Sequence, residues 1–243
     1  MNDVVGLNWN KISSFIGERV KTVKDRPYSR EEILKLLDAA SDKRLRIAIL
    51  LMCSCGLRIG SISTLRVRNF LRLPKYGIYQ LTVYENSKDE YITFTTVELA
   101  LLIDSYLEYR KRNGEQLLPN SPLLREEFDS KEAIRASRPR PISTNTLRTR
   151  IFKLTLLSGL RERKDSSRYK RHEVMQCHGL RKTFYSTAII AGMNPMYVSM
   201  LAGHKIGFQK NLIIAILHFM HEIRIFRLSQ KKITPETIPS HTI

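Results

Sequence analysis

No stretch of this chain is apolar for long enough to cross a bilayer. Its longest hydrophobic runs, such as Leu212 to Leu217, fall far short of the ~20 residues a span requires. Met1 to Asp25 lacks the hydrophobic core of a signal peptide, so the expected location is the cytoplasm. Cysteine is scarce as well. Cys53, Cys55 and Cys177 are odd in number and show none of the paired Cys-x-x-Cys spacing of zinc sites. Reduced, mostly buried thiols are therefore expected, and neither a metal nor another cofactor is called for. Acidic residues are the other deficit. Only 23 Asp and Glu face 41 Lys and Arg, which leaves a formal net charge of +18 and a pI near 10.0. A polyanion is the default partner of such a chain, and nucleic acid outranks a membrane surface.

What is present suits a folded protein. At 243 residues and 42% hydrophobic content, the chain has material for one domain with a small appendage. Residues 1–26 hold a short amphipathic piece, with Ile12, Phe15 and Ile16 at helical spacing, followed by a basic link. Ser29 and Glu32 form a capping box ahead of Ile33, Leu36, Leu37 and Ala40. A second helix is predicted from about Asp42 to Cys55, with Leu45, Ile49 and Met52 inward. Between Val67 and Thr95 the pattern changes to period two, with strands at Ile78 to Tyr84 and Tyr91 to Thr95 around a turn, Glu85 to Glu90. A hairpin or three-stranded sheet fits. Thr95 and Glu98 read as a capping box for a helix running to about Arg112, with Gly114 ending it. Proline and charge mark Glu115 to Pro141 as loop, and Ser143 caps a further helix to about Leu160 with Leu147, Ile151 and Leu154 inward. The fold class is thus mixed α/β, mostly α-helical with a small antiparallel β-sheet.

Two stretches concentrate chemistry. In the first, Cys55-Gly-Leu-Arg-Ile-Gly-Ser-Ile-Ser-Thr-Leu65 sets Arg58 just beyond a helix-ending Gly56. In the second, His178-Gly-Leu-Arg-Lys-Thr-Phe-Tyr185 places His178 and Arg181 three apart on one helix face, where both can reach a single anionic group. Gly192 closes that helix, Asn194 and Pro195 open the next, and Gly203-His204 ends it, setting His204 on a tight turn. Taken singly, each of these cations would read as solvated surface.

Together, Gly-Leu-Arg, then His-x-x-Arg, then Leu-x-Gly-His, in this order, resemble the tyrosine recombinases, or phage integrase family, most closely the archaeal members. The resemblance spans residues 27–207 as a catalytic domain. It implies DNA strand cleavage and rejoining through a 3′-phosphotyrosyl intermediate, with duplex DNA as substrate and a homo- or hetero-oligomer assembled on it. Arg58 and Arg181 would clamp the non-bridging phosphate oxygens, whose developing charge a guanidinium fork matches in geometry. His178, whose imidazole can both accept and donate a proton, would exchange the proton of the attacking or returning hydroxyl. His204 would donate to the phosphate, and Lys88, on the turn where the family carries a minor-groove lysine, would protonate the departing 5′ oxygen. Read without the family, Lys88 is a solvated turn lysine. Arg148, Arg150 and Lys153 on one helix, and Arg161, Arg163, Lys164, Arg168, Lys170 and Arg171 in a basic loop, are candidates for backbone phosphate contact without sequence specificity.

The family's nucleophile should follow Gly203-His204 after a short loop, yet no tyrosine occurs after Tyr197. Residues 208–243 diverge from the family pattern, as a reading-frame shift after about Ile206 would leave them. Tyr185 and Tyr197 stand where the family has packing residues, and nothing aims Tyr169. Ser61 stands where an acidic residue usually follows the first arginine. The expectation is a recombinase-type protein impaired in cleavage, nucleoid-associated through its DNA. The alternatives are a non-catalytic DNA-binding remnant or regulatory partner of an intact integrase, and a basic RNA-binding protein whose boxes are coincidental.

Overall fold

The computed structural model describes residues 26–127, 137–161 and 176–204. Helix α1 (Arg30–Ala39) begins where Ser29 accepts a hydrogen bond from the Glu32 amide and Glu32 accepts one from the Ser29 amide, and it turns Ile33, Leu36 and Leu37 into the core. Helix α2 (Lys43–Cys55) is capped by Asp42, whose carboxylate accepts from the Arg44 amide at 2.8 Å. From Ile47 to Cys55 every residue is buried, so α2 is the central rod of the domain rather than an amphipathic surface helix. It stops at Gly56, whose φ of +70° is the left-handed value that ends a helix without a Cβ penalty. A Cβ there would also meet the Phe184 ring at 2.5 Å, so the glycine lets the helix that carries Phe184 close on this turn.

A short helix α3 (Ile59–Ile62) then leads to a three-stranded antiparallel sheet, β1 (Phe70–Leu73), β2 (Ile78–Val83) and β3 (Tyr91–Phe94), in spatial order β1-β2-β3. Leu81 faces Thr93 and Val83 faces Tyr91 across the central pair. The β2–β3 turn has two non-glycine residues with positive φ, Tyr84 and Asn86, and is anchored where Glu85 accepts from Arg68 at 2.7 Å and from Asn69 at 3.0 Å.

Helix α4 (Val97–Arg112) departs from the expected start. Its cap is Thr96, which accepts from the Leu99 amide, whereas Thr95 Oγ1 accepts from the Tyr79 amide at 2.8 Å. The sheet edge and the helix end compete for adjacent threonines, and the strand takes the first. Beyond α4, residues 115–127 are irregular, as expected for that part of the proline-rich stretch, but they are pinned, and residues 128–136 lie outside the described residues. Arg110, wholly buried, donates to the Pro122 and Leu123 carbonyls at 2.8 Å each and pairs with Glu115, which also pairs with Arg125 at 2.5 Å. Two arginines on one buried carboxylate hold it below its usual range, overcoming the burial that would raise it.

Helix α5 (Thr144–Leu157) is capped by Ser143 and buries Leu147, Ile151 and Leu154, ending three residues short of the predicted Leu160. Helix α6 (Gln176–Ile190) packs along α2, and α7 (Pro195–Leu201), capped by Asn194, packs on α6 and β3. The larger core joins α1, α2, α4 and α5 around Leu51 and Met52, and a second cluster of Ile78, Phe94, Phe184, Ala188, Val198 and Leu201 welds sheet, α6 and α7 together. Cys53 and Cys55 are buried and Cys177 is half-buried, all as free thiols; burial pushes Cys55 up to about 12 and Cys177 to about 11. Among the described residues no helix is long and apolar enough to cross a membrane, and no cluster of three or more His, Cys, Asp or Glu could hold a metal.

Candidate active site

Arg181 is the centre of the site. It is one turn along α6 from His178 and only 6% exposed, with its guanidinium between two helix ends. Nη1 donates to the carbonyl of Gly56 at the end of α2, and Nη2 donates to the carbonyl of Ala202 at the end of α7 at 2.7 Å. Both carbonyls are helix-terminal groups that lack an intrahelical donor, so a buried cation there satisfies them and meets the negative end of each dipole. One side chain thereby holds the first box and the last in fixed relation.

Arg58 reaches the same place from the other wall. It is the residue before α3, with extended backbone (φ −77°, ψ 142°), and its side chain is exposed and makes no cap of its own. Buried Ser61 donates its hydroxyl to the Arg58 carbonyl at 2.7 Å, so at this position the backbone, not the guanidinium, is what Ser61 orients. The Arg58 charge is felt by Arg181, Tyr91, Tyr185 and His204 alike. Burial first, and then the like charge of Arg58, push the Arg181 guanidinium below its ordinary value. Two cations this close form an electropositive pocket suited to a doubly coordinated anion.

His204 follows Gly203, whose φ of +74° makes the turn the spacing predicted. Its amide donates to the Ser199 carbonyl at 2.9 Å, and its imidazole stands edge-to-face against Tyr185 with ring centroids 5.7 Å apart. Desolvation, then Arg181 and Arg58, hold its pKa below 6.5, which keeps it neutral and leaves one ring nitrogen as a donor at neutral pH. His178 is exposed in the first turn of α6, and Lys88 is exposed on the β2–β3 turn, where it makes no hydrogen bond or ion pair among the described residues.

Two tyrosines that the sequence does not mark as functional belong to this site. Tyr185, expected to be a packing residue, lies under the Arg181 guanidinium, 5.6 Å from Cζ to ring centroid. Tyr91, the first residue of β3, fills the space beside Gly203, where a Cβ would lie 2.5 Å from its ring. Burial pushes the Tyr91 phenol up to about 12 and raises that of Tyr185, while Arg181 and Arg58 pull both back. Only the strand alternation at Tyr91 and its place before Gly203 in space mark it, and the second is invisible in one dimension. Tyr197, by contrast, is half-buried against the second core cluster.

The predicted DNA-contacting cations divide. Arg148 and Lys153 on α5 are exposed. Arg150 is engaged otherwise, donating to Asp42 at 3.0 Å and to Glu127 at 2.9 Å, so it braces α5 against the start of α2. Arg161 is half-buried, its charge acting on Tyr28 and Cys177. Arg163, Lys164, Arg168, Lys170 and Arg171, with Tyr169 and the segment after His204, lie outside the described residues.

A helical domain with a three-stranded antiparallel sheet against the site is the fold of recombinase and integrase catalytic domains. The integrase from mycobacterium phage Brujita superposes with a TM-score of 0.60 at 17% identity, covering 88% of this chain and 63% of that one. The XerA recombinase gives 0.56 at 18% identity, covering 83% and 66%. The Tn1549 transposon integrase, solved in complex with transposon right end DNA, gives 0.57 at 16% identity, covering 86% and 64%. The chain thus spans about half to two thirds of the length of these and similar structures. A comparison with curated protein sequences finds no match. The profile of the Phage integrase family matches residues 28–207, and the chain belongs to that family.

Proposed function

We propose that this protein binds duplex DNA as an integrase-type recombinase does, seating one backbone phosphate between Arg58 and Arg181. The observation that carries the reading is the Arg181 guanidinium pinned by Gly56 and Ala202 beside the charge of the exposed Arg58. His178 would exchange the proton of the attacking or returning hydroxyl, His204 would donate to a non-bridging oxygen, and Lys88 would protonate the departing 5′ oxygen. Exposed Arg148 and Lys153, with Arg161 and the basic residues of 163–171, would follow the flanking backbone. The covalent step requires a phenol, and none follows Tyr197. Cleavage by this chain alone is therefore impaired, and the protein acts on DNA through binding, on its own or in an oligomer with an intact integrase.

The test is a nicked suicide duplex that traps covalent protein–DNA adducts, run beside a native gel shift. Retarded duplex without a covalent band is expected. A covalent adduct mapping by mass to Tyr169, Tyr185 or Tyr197 would restore full cleavage to this chain, and absence of any duplex binding would refute the DNA reading altogether.

A further inference from the structure

Resting on that reading, we infer that the Tyr91 and Tyr185 hydroxyls are phosphate ligands, donating to the same anion that Arg58 and Arg181 hold. Both phenol oxygens are buried beside the Arg181 guanidinium, toward which they can only accept, and among the described residues neither hydroxyl hydrogen has an acceptor. A buried hydroxyl hydrogen without an acceptor is costly, so its place in a fold asks for an acceptor that satisfies it. Both oxygens lie within reach of the Arg181 guanidinium and within the field of Arg58.

The donor count agrees. Of the five N–H groups of Arg181, one serves Gly56 and one Ala202. The other three are shared between the two phenol oxygens and an anion at the same depth. An anion that reaches Arg181, itself 6% exposed, arrives between rings of which one is fixed by Gly203 and the other by His204. Beside two cations a phenol turns its hydrogen away from them, toward whatever negative group the cations bind. High phenol pKa values keep both hydroxyls protonated at neutral pH, so they donate and do not compete as anions. The pocket then offers guanidinium from two sides and hydroxyl from two more, a set that can enclose a tetrahedral phosphate.

The experiment compares wild type, Tyr91→Phe, Tyr185→Phe and Arg58→Ala in affinity for a short labelled DNA duplex across a salt series, together with their melting temperatures. Phenylalanine keeps each ring and its packing. The Phe variants are expected to melt no lower than wild type, because an unsatisfied hydroxyl is gone, and to bind about tenfold more weakly. Their salt slope should be unchanged, since no charge was removed, whereas Arg58→Ala should lower it by about one phosphate contact. Wild-type affinity in both Phe variants, with Arg58→Ala weakened, would overturn this inference and leave the DNA reading standing. Failure of wild type to bind duplex would instead sink that reading, and this inference with it. Should a Phe variant melt lower, wild type carrying tyrosine labelled at 13Cζ decides the matter without any substitution. Two of its ten tyrosine signals should shift when duplex is added, and none shifting would refute the proposal.

Discussion

A Cβ placed on Gly203 would lie 2.5 Å from the Tyr91 ring, and one on Gly56 2.5 Å from the Phe184 ring, both from backbone with φ of +70° or more. Gly203→Ala and Gly56→Ala therefore combine a left-handed backbone penalty with a steric clash and should each destabilise the fold by about 2–4 kcal/mol in denaturant unfolding. Gly60→Ala is the control: it has open space and no positive φ, so its change should stay within about 0.5 kcal/mol. His204 makes a pH prediction. Its folded pKa lies below 6.5, so the unfolded chain binds the proton more readily and the contribution of this group to stability is complete above 6.5. It is lost as pH falls from there through the lowered folded pKa. An NMR titration should place the His204 midpoint below 6.5 and move it upward in Arg58→Ala, because one of the repelling charges has gone. Both motifs and both glycines were plain in the sequence, since turn chemistry is local. The roles of Tyr91 and Tyr185 were not, because nothing local says that β3 comes to rest beside Gly203.

At the scale of elements, helix starts were legible wherever one side chain decides them. Ser29, Asp42, Ser143 and Asn194 all cap the helices that follow. The exception teaches the reason. Thr95 and Thr96 are chemically equivalent candidates, and only the register of β2 against β3, which brings the Tyr79 amide to Thr95, leaves Thr96 to the helix. Thr96→Ala should cost about 1 kcal/mol as a lost cap, and buried Thr95→Ala about 1–3 kcal/mol as an orphaned strand amide, in equilibrium unfolding. The loop after α4 was legible as irregular but not as rigid. Glu115 sits in it between Arg110 and Arg125, all three buried, and Glu115→Gln would remove the carboxylate charge that these two buried cations share. A loss of about 3–5 kcal/mol is expected by denaturant titration. Wild type should also lose this contribution on acidification, as pH falls from the ordinary carboxylate range through the lowered folded pKa of Glu115.

For the molecule as a whole, the +18 charge sets the scale of the proposed interaction with DNA. If about six phosphates are neutralised, raising salt from roughly 50 to 200 mM should weaken duplex binding by about a thousandfold, and a flat salt response by fluorescence anisotropy would count against the DNA reading. Composition pointed to a polyanion as partner, and ordered short motifs pointed to the family that the match over residues 28–207 shows, because charge and local turn grammar survive in one dimension. Periodicity established which faces of α1 and α5 are buried, but not that α2 is buried all round. Tertiary structure decided the rest: that Arg181 is sunk between the Gly56 and Ala202 carbonyls, that Arg150 braces Asp42 and Glu127, and that two tyrosines from β3 and α6 join the cationic pair. Each of these depends on groups far apart in the chain, and their meeting is fixed by the packing of α6 and α7 against α2 and the sheet, not by any neighbour in sequence.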